Sequence, residues 1–166
     1  MDASLESLSE HVGRSLHARG WMLATAESCT GGWIGEVVTR ISGSSAWYDR
    51  GFITYSNAAK EAMLGVRAET LRWHGAVSEP TVVEMAEGAL RQSLAAVAVA
   101  VSGVAGPGGG TPEKPVGTVC IAWATASGAR IAQSFRFDGD RTAVRRQTVV
   151  AALEGVIRVA EAPLTA

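Results

Sequence analysis

The sequence predicts an α/β protein, a three-layer α/β/α sandwich around a mixed, mostly parallel sheet of about five strands. Three observations carry this. The apolar run from Ala95 to Val101 has no alternation, as expected of a strand covered on both faces. The segment from Trp21 to Ile41 reads as strand, tight turn and helix. Helical and strand patterns then alternate along the rest of the chain, which is the mark of layered α/β folds.

In chain order, Leu5, Leu8, Val12 and Leu16 recur at spacings of three and four, so the first twenty residues form an amphipathic helix ending at Gly20. Trp21 to Ala26 is a strand, and Ile34, Val37, Val38 and Ile41 return to helical spacing. Gly51 to Tyr55 is a second short strand, after which Ser56 or Asn57 caps a helix carrying Lys60, Met63 and Leu64 and stopping near Gly65. Ser78 with Pro80 opens a longer helix with Val83, Ala86, Ala89 or Leu90, and Leu94 on one face. Residues 102–117 hold six of the nineteen glycines and three of the five prolines, which makes them a loop. Val119 to Trp123 and Arg130 to Phe137 are an antiparallel pair joined through Ser127 and Gly128. A last helix starts near Asp140, with Val144, Thr148, Ala152, Val156 and Val159 inward.

Composition bounds the function. At 166 residues with 47% hydrophobic and 19% charged, residues 1–166 are expected to form one domain with one core. A formal net charge of -1 offers no basic field for a nucleic-acid backbone, which argues against nucleic acid as a partner. The longest apolar run falls far short of the roughly 20 residues of a membrane helix, and the first residues lack the features of a signal peptide, so no membrane association is expected. Two cysteines, Cys29 and Cys120, make no disulfide framework; a reducing cytoplasm is the expected location.

The chemistry-bearing residues each carry two readings. Ser28 lies at a turn opening a helix, where the N–H groups of Cys29, Thr30 and Gly31 could stabilise an oxyanion, or it is only a helix cap. His11, His17 and His74 read as surface residues, which leaves lysine as the base if burial lowers its pKa. Of two lysines, Lys60 sits on a partly apolar helix after Tyr55, Ser56 and Asn57; the alternative is a surface lysine beside Glu61. The loop from Gly103 to Gly110 could wrap a phosphate or be purely structural. Arg141 and Arg145, four apart, could grip a phosphate or pair with Asp138 or Asp140, while Arg146 points elsewhere. Cys29 reads as a buried inert thiol. No metal-ligand spacing occurs and no cofactor motif is present.

Thr25 to Gly32, Gly43-Ser44-Ser45, Tyr55-Ser56-Asn57 with Lys60, Gly75 to Glu79, Ser102 to Gly109, Lys114 to Val119 and the arginines of the last helix closely resemble the CinA C-terminal domain family over nearly the whole chain. The resemblance implies hydrolysis of the carboxamide of nicotinamide mononucleotide, without metal, by a serine and lysine pair that falls on Ser28 and Lys60. It also implies that Tyr55 orients the lysine or shares its proton. Thr30, Ser102, Gly103, Ala105, Gly106 and Arg145 would surround the pocket, with Arg145 on the phosphate. A homodimer is the expected assembly. The same residues would also serve a nucleotide-binding or regulatory module without turnover.

Overall fold

A computed structural model describes residues 3–163 of the chain. The elements follow in the order α1 (Ala3–Arg19), β1 (Leu23–Glu27), α2 (Trp33–Thr39), a single 3-10 turn (Ser44–Ala46), β2 (Tyr48–Ile53), α3 (Asn57–Leu64), α4 (Ala68–His74), α5 (Glu79–Arg91), β3 (Val97–Gly103), β4 (Thr118–Thr125), β5 (Arg130–Arg136) and α6 (Arg141–Glu161). The five strands form one sheet in the order β2-β1-β3-β4-β5. The first three run parallel; β4 pairs antiparallel with β3, and β5 pairs antiparallel with β4. The predicted mixed sheet between helical layers is therefore present. The first two residues of the predicted N-terminal helix lie outside the described residues.

Alternation along the strands separates two cores. On one face Leu23, Val97, Val99, Val101, Val119, Ile121 and Trp123 pack against α1, α2 and α6. On the other, Ala24, Ala26, Ala98, Ala100, Ala122 and Ala124 lie under Val82, Met85, Ala86 and Ala89 of α5, with Leu64 at the end of α3. The small side chains allow close approach: a Cβ at Gly88 of α5 would lie 2.0 Å from the Leu64 carbonyl oxygen.

Several local expectations need correction. Of the predicted inward set of α5, Ala86 and Ala89 are buried and Val83 and Leu90 are half-buried against the core, while Leu94 lies beyond the helix and is exposed. Thr81, Val82, Met85 and Gly88 are buried too and widen the stripe; threonine and glycine carry no hydrophobic signal. Helix α4 was not predicted; only Thr70 of its seven residues is buried, so it shows no periodicity to read. The β2 strand begins at Tyr48 and ends at Ile53, so Thr54 and Tyr55 follow it. Ser102 and Gly103 belong to β3 and the glycine-rich loop starts after them. Ser56 and Ser78 cap α3 and α5 as predicted, accepting from the amides of Ala59 and Thr81.

Candidate active site

The alternation that places Ala24 and Ala26 on the small face continues past the end of β1 to Ser28. Its amide donates to the Val101 carbonyl at 3.1 Å, which sets Ser28 beside Ser102 at the end of β3. The expected position of Ser28 at the head of a helix is not what the fold provides. A turn intervenes, closed by the Gly31 amide on the Ser28 carbonyl at 3.0 Å, and α2 starts only at Trp33 after Gly32 in the left-handed region, φ 103°. Ser28 is thus no helix cap. The Gly31 N–H is also spent, which leaves those of Cys29 and Thr30 as the turn's available donors.

The cap of α2 comes instead from Glu27, a residue to which sequence reasoning assigned no role. It is 2% exposed, and its carboxyl oxygens accept from the amides of Ile34 at 2.9 Å and Gly35 at 3.0 Å and from the Thr30 hydroxyl at 2.5 Å. This satisfies helix-start donors that glycine at position 32 cannot serve. The only sequence signal was a carboxyl at the end of a mostly apolar strand, just ahead of a helix without a polar cap.

Lys60 enters from the first turn of α3 and is 1% exposed, so the surface reading beside Glu61 is overturned. Its Nζ lies 3.0 Å from Ser28 Oγ, 2.8 Å from the Thr54 carbonyl and 3.3 Å from the Tyr55 carbonyl. An amine has two N–H donors and one lone pair. Two carbonyls and one hydroxyl match that inventory, with the lone pair directed at the serine proton. Ser28 Oγ also lies 3.4 Å from the Tyr55 carbonyl, an acceptor for its proton when the lysine is charged.

Burial lowers the Lys60 pKa, because the charged form loses its water. A thiolate at Cys29 would oppose this, but burial pushes the Cys29 thiol up to about 11, so it stays neutral at neutral pH. The same shift fits the predicted inert role for that side chain.

Tyr55 reaches the pair through its main-chain carbonyl. Its phenol turns outward, 61% exposed, and accepts from Arg141 Nη2 at 3.2 Å; among the described residues it makes no hydrogen bond to Lys60. Arg141 Nη1 donates to the Gly106 carbonyl at 2.8 Å, so this arginine ties the glycine loop to the rim of the site. Arg145 donates through Nε to the Cys29 carbonyl and through Nη2 to the Thr30 carbonyl, both at 3.0 Å. Asp140 pairs with neither arginine; it caps α6 by accepting from the Ala143 amide. Arg146 points away, to Ser4 at 2.7 Å.

Ser102 near the end of β3 and Ala105 just past it are buried, and Gly103 and Gly106 fit where a Cβ would press on Val119 at 2.6 Å and Val116 at 2.5 Å. A cavity of about 520 Å³ lies further along the same face, lined in part by Ser78, Glu79, Lys114, Cys120 and Ser134. Its lining does not include Ser28 or Lys60, whose short contact lies apart from it. Among the described residues no group of His, Cys, Asp and Glu could hold a metal ion.

The arrangement matches a known family. The model of the CinA C-terminal domain covers residues 5–160. The chain belongs to the CinA C-terminal domain family. It is 61% identical over 153 residues to "Nicotinamide-nucleotide amidohydrolase PncC" of Escherichia coli, across 92% of this chain and 93% of that one. The protein of the same description from Pseudomonas putida is 51% identical over 156 residues, across 93% and 96%. Among solved structures, the competence/damage inducible protein CihA of Agrobacterium tumefaciens superposes with a TM-score of 0.91 at 49% identity, covering 93% of this chain and 94% of the other. The overall fold is therefore shared with a solved member of the same competence/damage inducible group.

Proposed function

We propose that this chain is a nicotinamide-nucleotide amidase that hydrolyses the carboxamide of nicotinamide mononucleotide to nicotinic acid mononucleotide and ammonia, with Ser28 as nucleophile and Lys60 as base, in pyridine nucleotide recycling. The observation that carries the reading is the buried Lys60 Nζ at 3.0 Å from Ser28 Oγ, with two carbonyls ready for its remaining protons. The relatives described as amidohydrolases of this nucleotide supply the substrate class.

Neutral Lys60 takes the Ser28 proton as Oγ attacks the amide carbon, and the resulting ammonium is held by the Thr54 and Tyr55 carbonyls. The oxyanion is stabilised by turn N–H groups, that of Thr30 above all. Collapse returns the proton from Lys60 to the leaving nitrogen and releases ammonia. Water, deprotonated by the same amine, then cleaves the ester on Ser28. The positive pyridinium ring makes the carbonyl more electrophilic, and the phosphate contributes binding away from the reacting bond. Arg141, exposed at the mouth beside the Gly106 to Gly110 loop, is the cation placed to meet that phosphate. This scheme requires neither metal nor cofactor.

The test is ammonia release from nicotinamide mononucleotide by the wild type, Ser28→Ala and Lys60→Ala. Each variant is expected to lose at least about a hundredfold in kcat. A wild type that binds the nucleotide without turning it over would replace this reading with that of a regulatory binding module.

A further inference from the structure

We propose that Arg145 is a positioning residue that aims the Thr30 amide at the oxyanion, and is not the ligand of the substrate's phosphate. The inference rests on the amidase reading above. Arg145 is half-buried on α6, with its guanidinium carbon 5.4 Å from the centroid of the Trp33 ring. The edge formed by Nε and Nη2, one of those that can grip a phosphate bidentately, is turned onto the consecutive carbonyls of Cys29 and Thr30.

A trans peptide is planar, with its C=O and N–H pointing in opposite directions. The Cys29 carbonyl shares its peptide with the Thr30 N–H, so drawing that carbonyl toward Arg145 directs the Thr30 N–H away from it. The next peptide is held at both ends, its Thr30 carbonyl by Arg145 and its Gly31 N–H by the Ser28 carbonyl. Thr30 is also fixed through its side chain, whose hydroxyl donates to Glu27. Among the described residues no acceptor within the fold takes the Thr30 N–H. The outcome is one oriented, unengaged donor two residues after the nucleophile, and a donor aimed before the reaction needs no reorganisation during it.

The experiment compares steady-state kinetics of the wild type, Arg145→Gln and Arg145→Lys on nicotinamide mononucleotide and on nicotinamide riboside, which lacks the phosphate. Positioning predicts that both variants lose on the order of a hundredfold in kcat, as for a missing oxyanion donor, with KM near the wild-type value. The preference for nucleotide over riboside should stay at its wild-type ratio. Lysine keeps the charge but cannot span two carbonyls with a planar fork, so it should not rescue. The proposal is overturned if KM rises with kcat preserved, the preference for the nucleotide collapses and Arg145→Lys restores it; it is equally overturned if both variants behave as wild type. Where Arg145→Gln fails to fold, judged by circular dichroism, Arg145→Lys carries the same comparison. A wild type inactive on the nucleotide would instead sink the amidase reading.

Discussion

The two faces of the sheet differ in what they are built from. Valine, isoleucine, leucine and tryptophan fill the side under α1, α2 and α6, whereas alanine dominates the side under α3 and α5. Large side chains bury more apolar area per residue, at about 25 cal/mol per Å², so the first face contributes more of the stability. The second gives up area for proximity. Alanine and Gly88 let helices settle close to the strands and to each other, which brings Lys60 of α3 within reach of a serine that follows β1. One face holds the fold together and the other sets distances for chemistry.

That division can be broken from either side. The largest effect on stability is expected on the bulky face. Trp123 is 2% exposed, donates from Nε1 to the Ala152 carbonyl at 2.9 Å and lies so close to α6 that a Cβ at Gly155 would come within 2.1 Å of its ring. Trp123→Ala should cost about 3–5 kcal/mol in denaturant unfolding, while the folded fraction keeps its kcat. A large loss of kcat in folded Trp123→Ala would show that the faces are not separate in function.

On the small face, Gly88→Ala should cost about 1–3 kcal/mol, since the new methyl meets main-chain atoms of Leu64 and not a flexible side chain. Its mark should be kinetic. Moving α3 by an ångström displaces Lys60, which predicts a fall in kcat of about a hundredfold. Unchanged kcat with lowered stability would mean that Lys60 is placed by its own hydrogen bonds alone.

The third and smallest effect concerns the environment that the close packing creates. Because burial lowers the Lys60 pKa, the neutral base is available at lower pH than for a lysine in water, near 10.4. The proposed base acts when unprotonated, so kcat/KM should rise about tenfold per pH unit below the Lys60 pKa and level off above it, with the break at lower pH than for a lysine in water. A break at or above that of a lysine in water would contradict a desolvated lysine.

Much of this was legible from the residues. The apolar run of β3, the serine caps of α3 and α5 and the strand pair β4 and β5 each carry a local signal, and together they specify the layers. The proposed pair of Ser28 and Lys60 was legible as residue types at suggestive places. Its geometry was not, since Lys60 is buried by carbonyls of Thr54 and Tyr55 and by a serine more than thirty positions away, none of which marks the sequence around the lysine. The main-chain partners of Arg145 were hidden for a similar reason: the carbonyls of Cys29 and Thr30 lie more than a hundred positions away and leave no mark around the arginine. Tyr55 meets Lys60 through its main-chain carbonyl, while its ring meets Arg141, a split that no sequence signal marks.

The antiparallel turn from β3 into β4 has an evolutionary corollary. Neighbouring strands need only a hairpin between them, yet here residues 104–117 make the connection, pinned at the base by the Val104 amide on Thr118 and the Gly117 amide on Val104. Lengthening such a loop twofold costs only about 0.6 kcal/mol in closure entropy. Insertions at its exposed tip, residues 107–113, would leave the ladder register and the dyad where they are while remodelling the rim. On the proposed amidase reading, the fold separates the Ser28 and Lys60 contact, which must stay constant, from a rim that can drift.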